Sequence, residues 1–151
     1  MHLRTAVAGD LPLLRTLFRR SSLSNADDAA ALMAHPEVFV LPDTHVLAGR
    51  TRVAVDGAGT VVGFATTGGT GEARELEDLF VDPDYQRRGI GALLVADAVA
   101  LARRDGAVRL EVTGNPHASR FYAAVGFERL GEVATELGPG IRMRLDLTRA
   151  P

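Results

Sequence analysis

The 151-residue chain contains no cysteine, and all 17 of its basic side chains are arginine. The first absence excludes disulfides, cysteine-ligated metals and any thiolate nucleophile, and with them any reaction that passes through a cysteine-bound acyl group. Without lysine there is no Schiff-base amine and no phosphate-gripping lysine of a nucleoside-triphosphate loop. Positive charge is not in excess: the net charge of −2 argues against nucleic acid, whose partners carry a basic footprint. Long apolar runs are missing as well. The longest, residues 91–102, carries Asp97 and is too short to span a bilayer, and residues 1–10 hold no signal-peptide core. The four histidines show no metal-ligand spacing. These absences set the expectation of a cytoplasmic protein with no metal, membrane or nucleic-acid partner. The missing disulfides agree with a reducing interior without establishing one.

What is present is ordinary for a globular protein, with 46% hydrophobic and 24% charged residues, and the length suits one domain over residues 1–151. Residues 3–7 read as a strand. Asp10 then caps a helix with Pro12 in its first turn and Leu13, Leu14, Leu17 and Phe18 as its apolar stripe. A second helix is expected from a Ser24 cap to before Pro36, followed by a stretch with no clear period and a turn at Pro42-Asp43. Residues 52–55 and 60–65, joined through Asp56-Gly57, read as a hairpin, and residues 75–81 as a further strand. A long helix from near Arg88 to Gly106 is expected to be largely buried. Residues 108–112 form the next strand, Asn115-Pro116 opens another helix, and two antiparallel strands follow around Gly138-Pro139-Gly140. The pattern is α+β, with helices covering a mostly antiparallel mixed sheet.

The chemistry concentrates in Leu79-Phe80-Val81-Asp82-Pro83-Asp84-Tyr85-Gln86-Arg87-Arg88-Gly89-Ile90-Gly91. A strand runs through a turn into a helix whose start holds two glycines and two arginines. The first N–H groups of a helix lack internal partners, the dipole there favours anions, and glycine lets a phosphate approach the backbone. The pattern reads as a phosphate cradle. A dinucleotide fingerprint fails, because Leu94 stands where a third glycine is needed and the turn after Val81 is long; a triphosphate loop fails for want of lysine.

Gln86-Arg87-Arg88-Gly89-Ile90-Gly91 resembles the acyl-CoA motif Gln/Arg-x-x-Gly-x-Gly/Ala of the GNAT N-acetyltransferase superfamily. The likeness continues through Leu110-Glu111-Val112, Asn115-Pro116-His117-Ala118-Ser119-Arg120-Phe121-Tyr122 and Gly126-Phe127. It is strong over the C-terminal half; the N-terminal half agrees only in its order of elements. The resemblance implies a sheet splayed at its central strands and acetyl-CoA as cosubstrate. Gln86, Arg87, Arg88, Gly89, Ile90, Gly91 and Ala92 would hold the pyrophosphate. Leu79, Phe80 and Val81 would lie along the pantetheine arm, with a backbone N–H there polarising the thioester carbonyl. Asn115 and Tyr122 would face the arm's other side. Tyr122 matches the family's general acid, and Glu77 or Glu111 would serve as base towards a small-molecule or peptide amine. Homodimers are among the assemblies this family uses.

Plainer readings stand beside these. Gly89 and Gly91 would also allow tight packing, and Arg87 and Arg88 could be solvated charges. Asn115 before Pro116 is a good helix cap, Tyr122 a good core aromatic, and an exposed carboxylate needs no role. The acceptor, the acyl length and the choice of base stay open at this point. The alternative function is a CoA-binding sensor or interaction module with weak catalysis.

Overall fold

A computed structural model describes residues 1–148; the last three residues of the expected domain lie outside the described part. Seven strands form one mixed sheet in the order β1-β2-β3-β4-β5-β7-β6. They are β1 (His2–Thr5), β2 (Thr51–Val55), β3 (Val61–Gly68), β4 (Ala73–Val81), β5 (Arg109–Gly114), β6 (Glu128–Thr135) and β7 (Gly138–Asp146). Helices α1 (Leu11–Leu23), α2 (Ala26–Ala34), α3 (Thr44–Leu47), α4 (Ile90–Arg104) and α5 (Ser119–Ala124) accompany them. Pairing is antiparallel for β1–β2, β2–β3, β5–β7 and β6–β7, and parallel for β4–β5. The parallel pairing covers only Ala73 to Leu76 against Arg109 to Val112, whereas β4 continues to Val81 and β5 to Gly114. This is the open, splayed α+β sheet expected from the sequence.

The chain divides into two compact units. One holds Met1–Thr66 with Asp78–Leu94, the other Thr67–Glu77 with the residues from Val95 on. The core of the first is built from α1, β2 and β3: Leu14, Leu17, Val53 and Phe64 are almost wholly buried, with Phe18 and Phe80 packed against them. Burying a Leu or Phe side chain stabilises by roughly 1.5–3 kcal/mol, so this cluster supplies much of the unit's stability. A buried pair of hydroxyls, Thr51 and Thr66, satisfies itself at 2.9 Å. The hairpin turn is held by the Asp56 carboxylate, which accepts the N–H groups of Thr60 (2.9 Å) and Ala58 (3.0 Å). These bonds, that of Thr60 foremost, keep the Asp56 carboxyl below its ordinary range.

In the second unit β5, β7 and β6 form an antiparallel run beside the first half of β4. The parallel register sets Glu75 directly opposite Glu111, a like-charge pair that alone would be unfavourable. Arg142 resolves it, donating to both Glu75 oxygens at 2.7 and 2.8 Å and lying 3.5 Å from Glu111 Oε2.

Several local expectations are corrected. Asp10 makes no side-chain cap to α1; its carboxylate instead takes two bonds from Arg4 and one from the Val7 N–H, closing the preceding 3-10 turn. Leu13 is exposed, and Leu11 takes its place in the core. Helix α2 is capped by Asn25, whose side chain accepts from Asp27 and Asp28 N–H, while Ser24 ends α1. Helix α4 starts at Ile90 and is amphipathic rather than buried throughout: Ile90, Leu94, Val95, Ala98 and Ala102 face inward, but Leu93 is exposed. Gly138-Pro139-Gly140 lies in β7, the turn falling at Glu136 and Leu137. Gly140 is required there because a Cβ would come within 2.9 Å of the Thr113 and Thr135 methyl groups.

The Arg4–Asp10 pair gives a pH signature. The hydrogen bond from Arg4 holds the Asp10 carboxyl below its ordinary value. Its contribution is therefore present above the unfolded value near ~4 and is lost as pH falls through the lower folded value. Urea denaturation should show Asp10→Asn to be less stable than the parent by about 1–2 kcal/mol at pH 7. That gap should close as the pH falls below the ordinary carboxylate range.

Candidate active site

The cradle is fixed from beneath by β3. A Cβ at Gly63 would meet the Phe80 carbonyl oxygen at 3.1 Å, Leu94 Cδ1 at 3.2 Å and Ile90 Cγ2 at 3.3 Å. Glycine at this position lets the first turn of α4 and the end of β4 lie against β3. The Asp82 N–H donates to the Val62 carbonyl at 2.8 Å where β4 ends. A 3-10 turn over Pro83–Tyr85 follows, capped by Asp82, and Gln86 is extended. The backbone turns left-handed at Arg87 (φ 64°) and again at Gly89 (φ 79°) before Gly89 C=O accepts the first bond of α4 from Leu93, at 3.0 Å. Arg87 thus bears a conformation that non-glycine residues rarely adopt, a form of strain that clusters at binding sites.

Among the described residues, the backbone N–H groups of residues 89–92 have no protein acceptor in hydrogen-bonding geometry, while the turn at Gln86-Arg87 is closed only by weak backbone bonds. Successive free N–H groups around left-handed residues at a helix start form a concave anion site. Nothing lies within 4 Å of the place a Gly89 Cβ would occupy, so the turn faces open space. The Arg88 guanidinium sits 5.0 Å from the Tyr85 ring centroid, and the Tyr85 hydroxyl donates to Asp56 Oδ2 at 3.3 Å. The Asp56 charge raises the Tyr85 pKa. On the other flank, Arg20 of α1 donates to Asp82 at 2.6 Å and Asp84 at 3.0 Å, pinning the turn to the helix. Leu79, Phe80 and Val81, at the end of β4, are partly exposed; the Phe80 ring packs on Phe18 and Phe64. Gln86, Arg87, Arg88, Gly89 and Ala92 are exposed, while Ile90 is buried beneath them as an anchor.

The other expected residues lie in the second unit. Tyr122 is buried, its ring edge-on to Phe121 (5.2 Å) and Phe127 (5.4 Å) and packed over Gly114, where a Cβ would come within 3.0 Å of the ring. Asn115 is extended and exposed. Its carbonyl accepts the Ala118 N–H at 2.9 Å, but its side chain makes no cap, so the capping reading fails and α5 begins at Ser119. Glu77 is exposed. Glu111 is half-buried, its Oε2 lying 3.5 Å from Arg142 Nη2 and 3.9 Å from Arg109 Nε. Sequence reasoning missed Arg142. The available signal was alternation on the last strand, which puts it two positions from Arg144, the partner of Glu111, and so on the same face. Among the described residues no group of three or more acidic or histidine side chains could hold a metal, and no helix is long and apolar enough to cross a membrane.

An open mixed sheet with a left-handed turn between β4 and α4 defines an acyl-CoA N-acyltransferase type of fold. The chain belongs to the GNAT acetyltransferase family: the family described as "Acetyltransferase (GNAT) domain" matches residues 44–147. It is 38% identical over 110 residues to the N-alpha-acetyltransferase RimI of Mycobacterium tuberculosis, an alignment covering 70% of this chain and 65% of RimI. It spans 26% and 22% of the length of two further relatives, from Methanocaldococcus jannaschii and Mycobacterium leprae. The fold is similar to that of the PaiA N-acetyltransferase of Thermoplasma acidophilum in complex with coenzyme A. There the TM-score is 0.76 at 15% identity, over 96% of this chain and 98% of that one. It is also similar to an aminoglycoside 6'-N-acetyltransferase complexed with coenzyme A, with a TM-score of 0.73 at 17% identity over 100% and 99% of the two chains.

Two glycines separate the packing and ligand-facing parts of this arrangement. Gly63→Val should destabilise by about 1–3 kcal/mol, because the methyls must displace Phe80 carbonyl, Ile90 and Leu94. Gly89→Ala meets no neighbour and should cost about 1–2 kcal/mol from backbone strain alone. Urea midpoints of the two variants check both values.

Proposed function

We propose that the protein transfers an acetyl group from acetyl-CoA to a primary amine by direct attack, the whole chain acting as one transferase. The observation that carries this reading is the set of N–H groups over residues 89–92 with no protein acceptor, beside an open left-handed turn with two exposed arginines. A pyrophosphate supplies the acceptor oxygens such a turn lacks, and Arg87 and Arg88 add charge that a helix start would otherwise disfavour. The family membership supports acetyl-CoA as cosubstrate. Because RimI is named an N-alpha-acetyltransferase, its likeness favours an α-amine acceptor. A cytoplasmic setting belongs to the same reading, since acyl-CoA thioesters are intracellular metabolites.

With acetyl-CoA bound, Arg87 through Ala92 hold the pyrophosphate, and Leu79, Phe80 and Val81 lie along the pantetheine arm. Asn115 contributes a polar contact to that arm. The amine, once deprotonated, attacks the thioester carbonyl carbon. A backbone N–H from residues 79–81 stabilises the oxyanion. Collapse breaks the C–S bond and forms the amide, and Tyr122 donates its phenolic proton to the departing thiolate. The amine's proton passes to a carboxylate. Glu77 and Glu111 are the candidates, the Glu111 Oε2 lying 3.5 Å from Arg142 and 3.9 Å from Arg109.

Mass-spectrometric screening of amines with acetyl-CoA should reveal an N-acetylated product, and initial rates should show a sequential pattern; ping-pong kinetics would contradict direct transfer. Tyr122→Phe should lower kcat by about 100-fold with less than about threefold change in the KM for acetyl-CoA. An unchanged kcat removes Tyr122 from the mechanism.

A further inference from the structure

A cavity of about 500 Å³ opens beside α1, α2 and residues 39–43, entirely within the first unit. Its size is that of a small-molecule site. Phe18, Leu32, Phe39 and Leu41 form apolar walls. Phe18 connects the cavity to the expected reaction centre: its ring lies 4.8 Å from that of Phe80 on β4 and 6.1 Å, edge-on, from that of Phe39. A group seated against Phe18 and Phe39 is therefore one aromatic ring away from the strand along which the thioester is proposed to lie.

The cavity's charge is not balanced. Arg15 and Arg19 stand one turn apart on α1, a like-charge spacing that is unfavourable without an anion, and both are exposed at the opening. The Arg15 Nε donates to the Leu41 carbonyl at 3.2 Å, which supplies no charge. Among the described residues, Arg19 makes no hydrogen bond or ion pair. The next guanidinium along the helix, Arg20, is paired with Asp82 and Asp84. Asp43 is the one acid in the lining, against two guanidinium groups. An apolar pocket rimmed by surplus guanidinium favours a ligand with an apolar side chain and a carboxylate, because Arg and carboxylate match as paired donors and acceptors.

We infer that the acceptor is a free hydrophobic α-amino acid, its side chain in the cavity and its carboxylate on Arg19 and Arg15. This rests on the acetyl-transfer reading. Such amino acids are the smallest molecules that combine the reacting amine, the anion and the apolar group. Polyamines and aminoglycosides bring further positive charge to an already cationic rim, and a peptide N-terminus lacks the adjacent carboxylate.

Calorimetry tests the inference without requiring turnover. L-leucine and L-phenylalanine, and separately L-leucinamide and L-phenylalaninamide, are titrated into the full chain saturated with CoA. The acids should bind at least about tenfold more tightly than the amides, as expected for a charge-assisted hydrogen bond. Arg19→Gln should abolish the difference while leaving CoA affinity unchanged, and Arg19→Lys should keep part of it. Equal binding of acids and amides, tighter binding of spermidine or of a peptide with a blocked C-terminus, or equal losses for both ligand types in Arg19→Gln would overturn the inference. Acetylation of spermidine but not of leucine would leave acetyl transfer standing while this assignment falls. Failure to bind CoA at all would remove both.

Discussion

The close approach of α4 to β3 through Gly63 is the constraint on which the rest depends. A side chain there would collide with the Phe80 carbonyl, Ile90 and Leu94 together. Glycine therefore fixes two things at once: where β4 ends and where α4 begins. The turn from Gln86 to Gly89 must span what lies between them, and it does so with left-handed residues that lead into the N–H groups of residues 89–92, which have no protein acceptor. The proposed anion site follows from packing beneath it. Its flanking bonds, Arg20 to Asp82 and Asp84 and Tyr85 to Asp56, hold the turn from two sides by residues distant in sequence.

In the proposed reading, the same unit answers two demands of an acetyl-transfer reaction with different parts of its surface. Backbone groups, which read shape and charge but little else, suit a cosubstrate of constant structure. The cavity beside Phe18 is lined with side chains, which vary more freely, and this suits discrimination among acceptors. In the second unit, Arg142 draws Glu75 and Glu111 into one ion-pair group. A carboxylate that is needed to neutralise a structural guanidinium is poorly placed to accept a proton during turnover.

The sheet, the hairpin and the strand–turn–helix were legible because each rests on local chemistry. Asp56-Gly57 makes the turn, alternation makes the strands, and Gly89 supplies the left-handed residue at which α4 begins. Other features depended on partners far away in the chain. Asp10 looked like a helix cap until Arg4 and the Val7 N–H claimed it, and Gly138-Pro139-Gly140 looked like a turn although Gly140 is small to clear Thr113 and Thr135. Ser24 and Asn25 are adjacent and both good caps, so only the structure could choose. The cavity was illegible because residues 38–49 carry no clear period; short turns, held by Arg15 on Leu41 and by the Phe18–Phe39 contact, shape it instead.

The central claim is that the turn over residues 86–92 binds a pyrophosphate through its amides. Titrating 15N-labelled protein with CoA and following each amide resonance tests it most directly. The account predicts that the largest shifts fall on Arg87 to Ala92, accompanied by residues 79–81, and that inorganic pyrophosphate alone moves the first group but not the second. CoA binding that leaves the amides of residues 87–92 unmoved would contradict it.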